Sequence, residues 1–309
     1  MDFSSIVTAL FKLFFLLVLG YFLNKKKILD SHTNSGMSAL LVNATNPALI
    51  LSSLSATEAA TKGEVSRLLL FGVGWYIFLP IMAFVMVRLL RIQPSKRGTA
   101  QLLLIFSNTG FMAIPVLQTL YGDIAVFYSN ILNLPFNFLL YSYGVFLLTR
   151  DKGRSNGDSV SWRQFLNPGI VASAIALIIY FCGLCLPVVL NEAFSFLGGV
   201  TPPLSMIILG SVLAEYPLSS MFKDLRINLM LLLKQLLLPM LAMLLGGLVF
   251  TNSVITGIIT LTFAMPCASM AVILSKEYQG DTMTASVGVV FTTAISLITI
   301  PIIFLLFVM

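Results

Sequence analysis

The chain is poor in the residues on which most protein chemistry depends. Charged residues fill 10% of its 309 positions, against roughly 25% in an ordinary soluble protein. It has one histidine, His32, and three cysteines. No HExxH, no Cys/His ligand spacing and no histidine-based triad can be assembled from so few groups. No enzyme activity, metal site or cofactor is therefore expected. Cys182 and Cys185 form a CxxC, but inside the apolar run IVASAIALIIYFCGLCL. A redox pair needs a polar, accessible thiolate, so packing is the expected role of both. Acids are scarce where they would matter most: all twelve fall in loops or at the ends of apolar runs. A carboxylate inside a membrane span costs about 3 kcal/mol and marks ion or proton sites. Its absence argues against a carboxylate proton relay, a charged cation site and an intramembrane aspartyl protease.

What the chain does have is apolar length. Hydrophobic residues make up 58% of it, and a helix crossing a bilayer needs about 20 of them in succession. The runs predict ten spans near 5–24, 36–55, 67–90, 98–121, 124–148, 168–189, 194–213, 226–250, 254–275 and 283–308. The first is too long for a cleaved signal peptide and has its lysines after it. Fourteen basic residues fall in one set of alternate loops, at 25–27, 88–97, 150–163, 223–226 and 276, and two in the other, Lys62 and Arg67. By the positive-inside rule both termini are extracytoplasmic and the loop at 149–167 is cytoplasmic. The net charge of +6 thus belongs to a membrane surface, not to nucleic-acid binding.

The loop 149–167 divides the chain into residues 1–148 and 168–309. NPAL at 46–49 resembles PPLS at 202–205, FLP at 78–80 resembles LLP at 237–239, and YGD at 121–123 resembles QGD at 279–281. Three matches in order at nearly one offset suggest a duplication. Five spans per copy is an odd number, so the second copy enters the membrane inverted, as in secondary transporters. The expected fold is an all-α integral membrane protein of two inverted five-helix repeats joined by a cytoplasmic linker.

Proline and glycine interrupt two corresponding spans. Span 4 contains Asn108, Thr109, Gly110 and Pro115; span 9 contains Pro266, Cys267, Ala268 and Ser269. Paired interruptions point to a transporter's binding site; the bland alternative is a pair of ordinary proline kinks. Asn46 and Pro47 in span 2 match Pro202 and Pro203 in span 7, and either line the same centre or kink for packing. These candidates are neutral. Half-helix N-termini carry partial positive charge and bind carboxylates without a full countercharge, so an anionic substrate is expected. Lys12 and Lys234 each lie about 10 Å into a span. Each either snorkels to the nearer surface or draws an anion inward.

NTGFMAIPVLQTLYG at 108–122, NPGI at 167–170, PPLSMIILGSVL at 202–213 and MPCASMAVILSKEYQGD at 265–281 resemble the auxin efflux carrier family. That family includes bacterial organic-acid permeases and the plant PIN-formed carriers. The resemblance covers nearly the whole chain. It implies ten helices, spans 4 and 9 crossing at mid-membrane, and a transport domain moving against a scaffold as an elevator. It implies a homodimer through the scaffold, and that Asn108 contacts a substrate carboxylate. Gly169 stands where plant carriers have an asparagine, and CASMA lacks their second proline, so auxin is not the expected substrate. The expected function is secondary transport of a small organic anion such as malate or malonate across the plasma or inner membrane. Coupling to protons or sodium stays open. The alternatives are a sodium-coupled symporter of the bile-acid type and an anion channel.

Overall fold

The computed structural model describes residues 3–149, 168–215 and 224–307. Regular structure there is helical, apart from one isolated antiparallel bridge between Ser107 and Cys267. The first half holds α1 (Phe3–Lys25), α2 (Ser31–Leu40), α3 (Asn46–Ser52), α4 (Lys62–Leu89), α5 (Arg97–Ile105), α6 (Ile114–Tyr121), α7 (Asp123–Leu132), α8 (Leu134–Leu139) and α9 (Val145–Thr149). The second half holds α10 (Pro168–Cys182), α11 (Val188–Gly198), α12 (Thr201–Ala214), α13 (Leu225–Val249), α14 (Ser253–Ala264), α15 (Met270–Glu277) and α16 (Thr282–Phe307). A π turn, Leu41–Thr45, joins α2 to α3, and a second, Leu140–Gly144, joins α8 to α9.

Among the described residues, six stretches are long and apolar enough to cross a bilayer: Ser31–Thr57, Lys62–Leu89, Asp123–Thr149, Val188–Ala214, Leu225–Val249 and Thr282–Leu306. Their outer faces carry bare apolar side chains such as Ile77, Phe196 and Leu248. Each would cost about 1.5–3 kcal/mol in water and costs nothing against lipid tails. Polar caps set the helix ends. Thr61 and Glu64 form a reciprocal capping box on α4, while Asp224 and Asn252 cap α13 and α14. Pro80, Pro239 and Pro301 lie inside continuous helices.

Without a hydrophobic drive between helices in lipid, close backbone approach holds them. Gly20 of α1 faces the backbone of Ile207 on α12, and Gly210 of α12 faces that of Leu17 on α1, leaving no room for a Cβ at either glycine. Asn24 adds a hydrogen bond to Ser211 Oγ at 3.2 Å, and Lys25 Nζ one to the Ala214 carbonyl at 2.9 Å. Aromatic rings fill the centre: Trp75 packs 4.8 Å from Phe263, and Phe106 packs 5.2 Å from Phe136.

Two expectations are corrected. The sixth expected span, α10, ends at Cys182 rather than near 189, because Gly183 adopts φ 67° and stops it. The next helix starts at Val188, directly after the extended Pro187, and not near 194. Cys182 and Cys185 are consequently exposed at the end of α10 and in the turn beyond it, not packed inside. Nearly all of the expected linker, residues 150–167, lies outside the described residues.

Candidate functional site

Both interrupted segments give up helical geometry at the same place. α5 ends at Ile105 and Phe106 turns extended; α14 ends at Ala264 and Met265 turns extended. The freed backbones pair with each other. The Asn108 amide donates to the Pro266 carbonyl at 2.7 Å, and the Ala268 amide to the Phe106 carbonyl at 2.9 Å. The Cys267 amide donates to Thr292 Oγ1 of α16 at 3.0 Å, and its thiol to the Leu103 carbonyl at 3.1 Å. Lys234 Nζ donates to the Met265 carbonyl at 3.0 Å. Backbone groups that lipid could not satisfy are thus satisfied inside the protein. Beyond the crossing the chain recoils into helix, at the π turn Thr109–Ala113 leading into α6 and at Met270 of α15. Both new N-termini lie at the crossing.

Beside it is a cavity of about 220 Å³. Of the residues singled out from the sequence, Asn46, Asn108, Thr109, Gly110, Gly169, Ala268 and Ser269 line it. Pro47 and Pro115 sit in the first turns of α3 and α6, outside the lining. Pro266 and Cys267 form the crossing itself and are not part of the wall. Lys234 is fully buried behind the crossing, and Lys12 is exposed on α1; neither lines the cavity. Ser107, Ser129, Asn130, Asn133 and Ser173 line it too, and the sequence reading missed them. Polar residues at 129, 130 and 133 recur at helical spacing within an apolar run, which was the available signal.

The cavity wall is short of hydrogen-bond partners. Asn108 Oδ1 accepts from the Phe111 amide at 3.2 Å, which fixes the side-chain amide with its NH₂ end free. Asn108 Nδ2, Ser107 Oγ, Ser269 Oγ and Asn46 Oδ1 are all buried with no partner in the structure. One such group costs about 1–3 kcal/mol, and buried polar groups are otherwise nearly always paired. Three of these four atoms can donate. No acid is among the described lining residues, and the charge-like features they present are the two positive helix N-termini.

A second, larger cavity of about 810 Å³ shares Val42, Phe111, Ser269 and Met270 with the first. It leads past Asn34 to Ser31, Glu215 and Lys276. Elsewhere, hydrogen bonds join segments from the two halves: Tyr180 Oη to the Ala60 carbonyl at 2.7 Å, Lys62 Nζ to the Phe181 carbonyl at 2.8 Å, and Asn252 Nδ2 to Glu64 at 3.2 Å.

A family model described as membrane transport protein matches the chain twice, over residues 5–159 and 154–304. The chain belongs to the auxin efflux carrier family. This carrier is 22% identical over 294 residues to an uncharacterized transporter of Methanocaldococcus jannaschii, covering 92% of the chain and 93% of that relative. It is 25% identical over 293 residues to an uncharacterized transporter of Methanothermobacter thermautotrophicus, covering 93% of each. Membership makes it a multi-pass membrane transporter, and both relatives carry the name of transporters rather than enzymes.

Proposed function

We propose that this carrier is a secondary transporter of small organic anions, binding a carboxylate at the crossing. The observation that carries the reading is the cluster of unpartnered buried polar atoms, led by Asn108 Nδ2, around a cavity with no acid among its described lining residues. Hydrogen bonds from neutral donors and two helix N-termini suit a carboxylate. The volume of about 220 Å³ is below the ~300–1,000 Å³ of sites for drug-sized ligands, which supports a ligand of malonate or malate size.

The proposed architecture is ten spans in two inverted repeats, residues 1–148 and 168–309, working by an elevator movement with both termini extracytoplasmic. The bridged residues Ser107 and Cys267 stand 160 positions apart, close to the offset of the sequence matches, which supports the repeat. In this orientation the larger cavity opens towards the cytoplasmic side, where Lys25–Lys27 and Lys276 lie. The hydrogen bonds from Lys62, Tyr180 and Asn252 then close the outer side, as alternating access requires.

Counterflow in proteoliposomes tests the function. Vesicles preloaded with unlabelled malonate, malate or another small carboxylate should transiently concentrate the labelled anion. Flux that neither saturates nor shows counterflow would identify a channel instead.

A further inference from the structure

We infer that Gly110 sets the length of the carboxylate that the crossing accepts. The space a side chain would fill at this position is left to the substrate. The inference rests on the anion reading of the crossing and deepens it.

What a Cβ would meet separates the helical glycines. At Gly20, Gly72, Gly198 and Gly210 it would run into the backbone of a neighbouring helix, so these glycines serve close packing. At Gly36, Gly63, Gly74 and Gly247 it would meet nothing within 4 Å, and all four lie on exposed helix surface. Gly110 fits neither description. A Cβ there would also meet nothing within 4 Å, yet the residue is partly buried and lines the cavity of about 220 Å³ beside the crossing. The open space at Gly110 is therefore space in the cavity.

The backbone does not call for glycine at this position. Positive φ is found at Gly122 and Gly183, not at Gly110. Gly110 belongs to the π turn Thr109–Ala113, and alanine is the better former of helical backbone. The turn is also pinned on both sides. The Phe111 amide donates to Asn108 Oδ1 at 3.2 Å, and the Ala113 amide donates to the Asn108 carbonyl at 3.1 Å. A methyl group at position 110 would stay in the cavity, two residues from the free NH₂ group of Asn108. It is about the size of one methylene of a substrate. Whether one methylene fits a pocket is worth about 10- to 200-fold in discrimination.

The experiment measures binding of oxalate, malonate, succinate and glutarate, which lengthen by one methylene at a time. The proteins are the parent, Gly110→Ala and, as the control on exposed surface, Gly74→Ala, each with its thermal unfolding. Gly110→Ala should unfold no earlier than the parent. The shortest dicarboxylate that the parent binds should bind Gly110→Ala nearly as well. The longest should bind about tenfold more weakly or worse. Gly74→Ala should keep the parent's order of preference. An equal loss at every length, or no loss at any, overturns the proposal. A Gly110→Ala that does not fold overturns it too, because the glycine would then serve packing. A parent that binds none of the four defeats the anion reading and the inference with it, whereas binding with an unchanged length preference defeats the inference alone.

Discussion

Thr292 offers a direct handle on how the crossing is held. Its hydroxyl accepts from the buried Cys267 amide at 3.0 Å and donates to the Gly288 carbonyl at 2.7 Å. Thr292→Val keeps the shape and removes the acceptor. The Cys267 amide is then left buried without a partner, which costs about 1–3 kcal/mol. The Gly288 carbonyl loses little, since the helix ladder already serves it. Thr293 is the control. It is equally buried, but its hydroxyl bonds only the Val289 carbonyl of its own helix, at 2.7 Å. Thermal unfolding in detergent should therefore place Thr292→Val several degrees below the parent, at about 2–4 °C per kcal/mol, with Thr293→Val close to the parent. In a background of Cys182→Ser and Cys185→Ser, alkylation of Cys267 should also become faster in Thr292→Val alone. Equal unfolding temperatures for the two valine variants would refute the argument that the hydroxyl anchors the crossing.

Gly210→Ala should destabilise the carrier by about 1–3 kcal/mol, because its Cβ meets the backbone of Leu17. Gly74→Ala on α4, where nothing lies within 4 Å, should be neutral or slightly stabilising; thermal unfolding distinguishes them. Asp224 is partly buried, which would raise its pKa, but the hydrogen bonds from Lys96 at 2.7 Å and from the Ile227 amide outweigh this and hold it below the usual carboxylate value. A lowered folded pKa contributes stability above the unfolded value of about 3.9 and loses it as pH falls through the folded one. Asp224→Asn should thus flatten the unfolding temperature between roughly pH 5 and 2, by no more than the ~1 kcal/mol of a partly exposed pair. A cysteine placed at Ser155 should resist a membrane-impermeant label in intact cells; labelling from outside would reverse the proposed orientation.

The place of the crossing was legible because proline, glycine and asparagine interrupt otherwise unbroken apolar runs at 108–110 and 266. Their partners were not legible. Pro115, grouped with Asn108–Gly110 in the sequence, is not part of the break: the chain leaves helix at Phe106 and has recoiled before Pro115, since the break is held by pairing with Pro266 and Ala268. The π turns at 41–45, 109–113 and 140–144 shift a helix face by part of a turn, which no periodicity over 20 residues records. That shift helps decide which side chains reach the cavity. Ser129, Asn130 and Asn133 were hidden because a polar residue in an apolar helix does not disclose which neighbour it faces. The two lysines make the same point, since burial of Lys234 depends on where α13 packs against the end of α14, a tertiary fact.

The account turns on whether Asn108 donates to a carboxylate. Malonate binding to purified parent, Asn108→Ala and Asn108→Asp measures this most directly, with thermal unfolding confirming that each variant is folded. A hydrogen bond to a charged group contributes about 1.5–3 kcal/mol, so Asn108→Ala should bind about 10- to 150-fold more weakly. Asn108→Asp replaces a donor with an acceptor and adds like-charge repulsion, and should bind more weakly still. If Asn108→Asp bound malonate as tightly as the parent, the crossing would not be the carboxylate site.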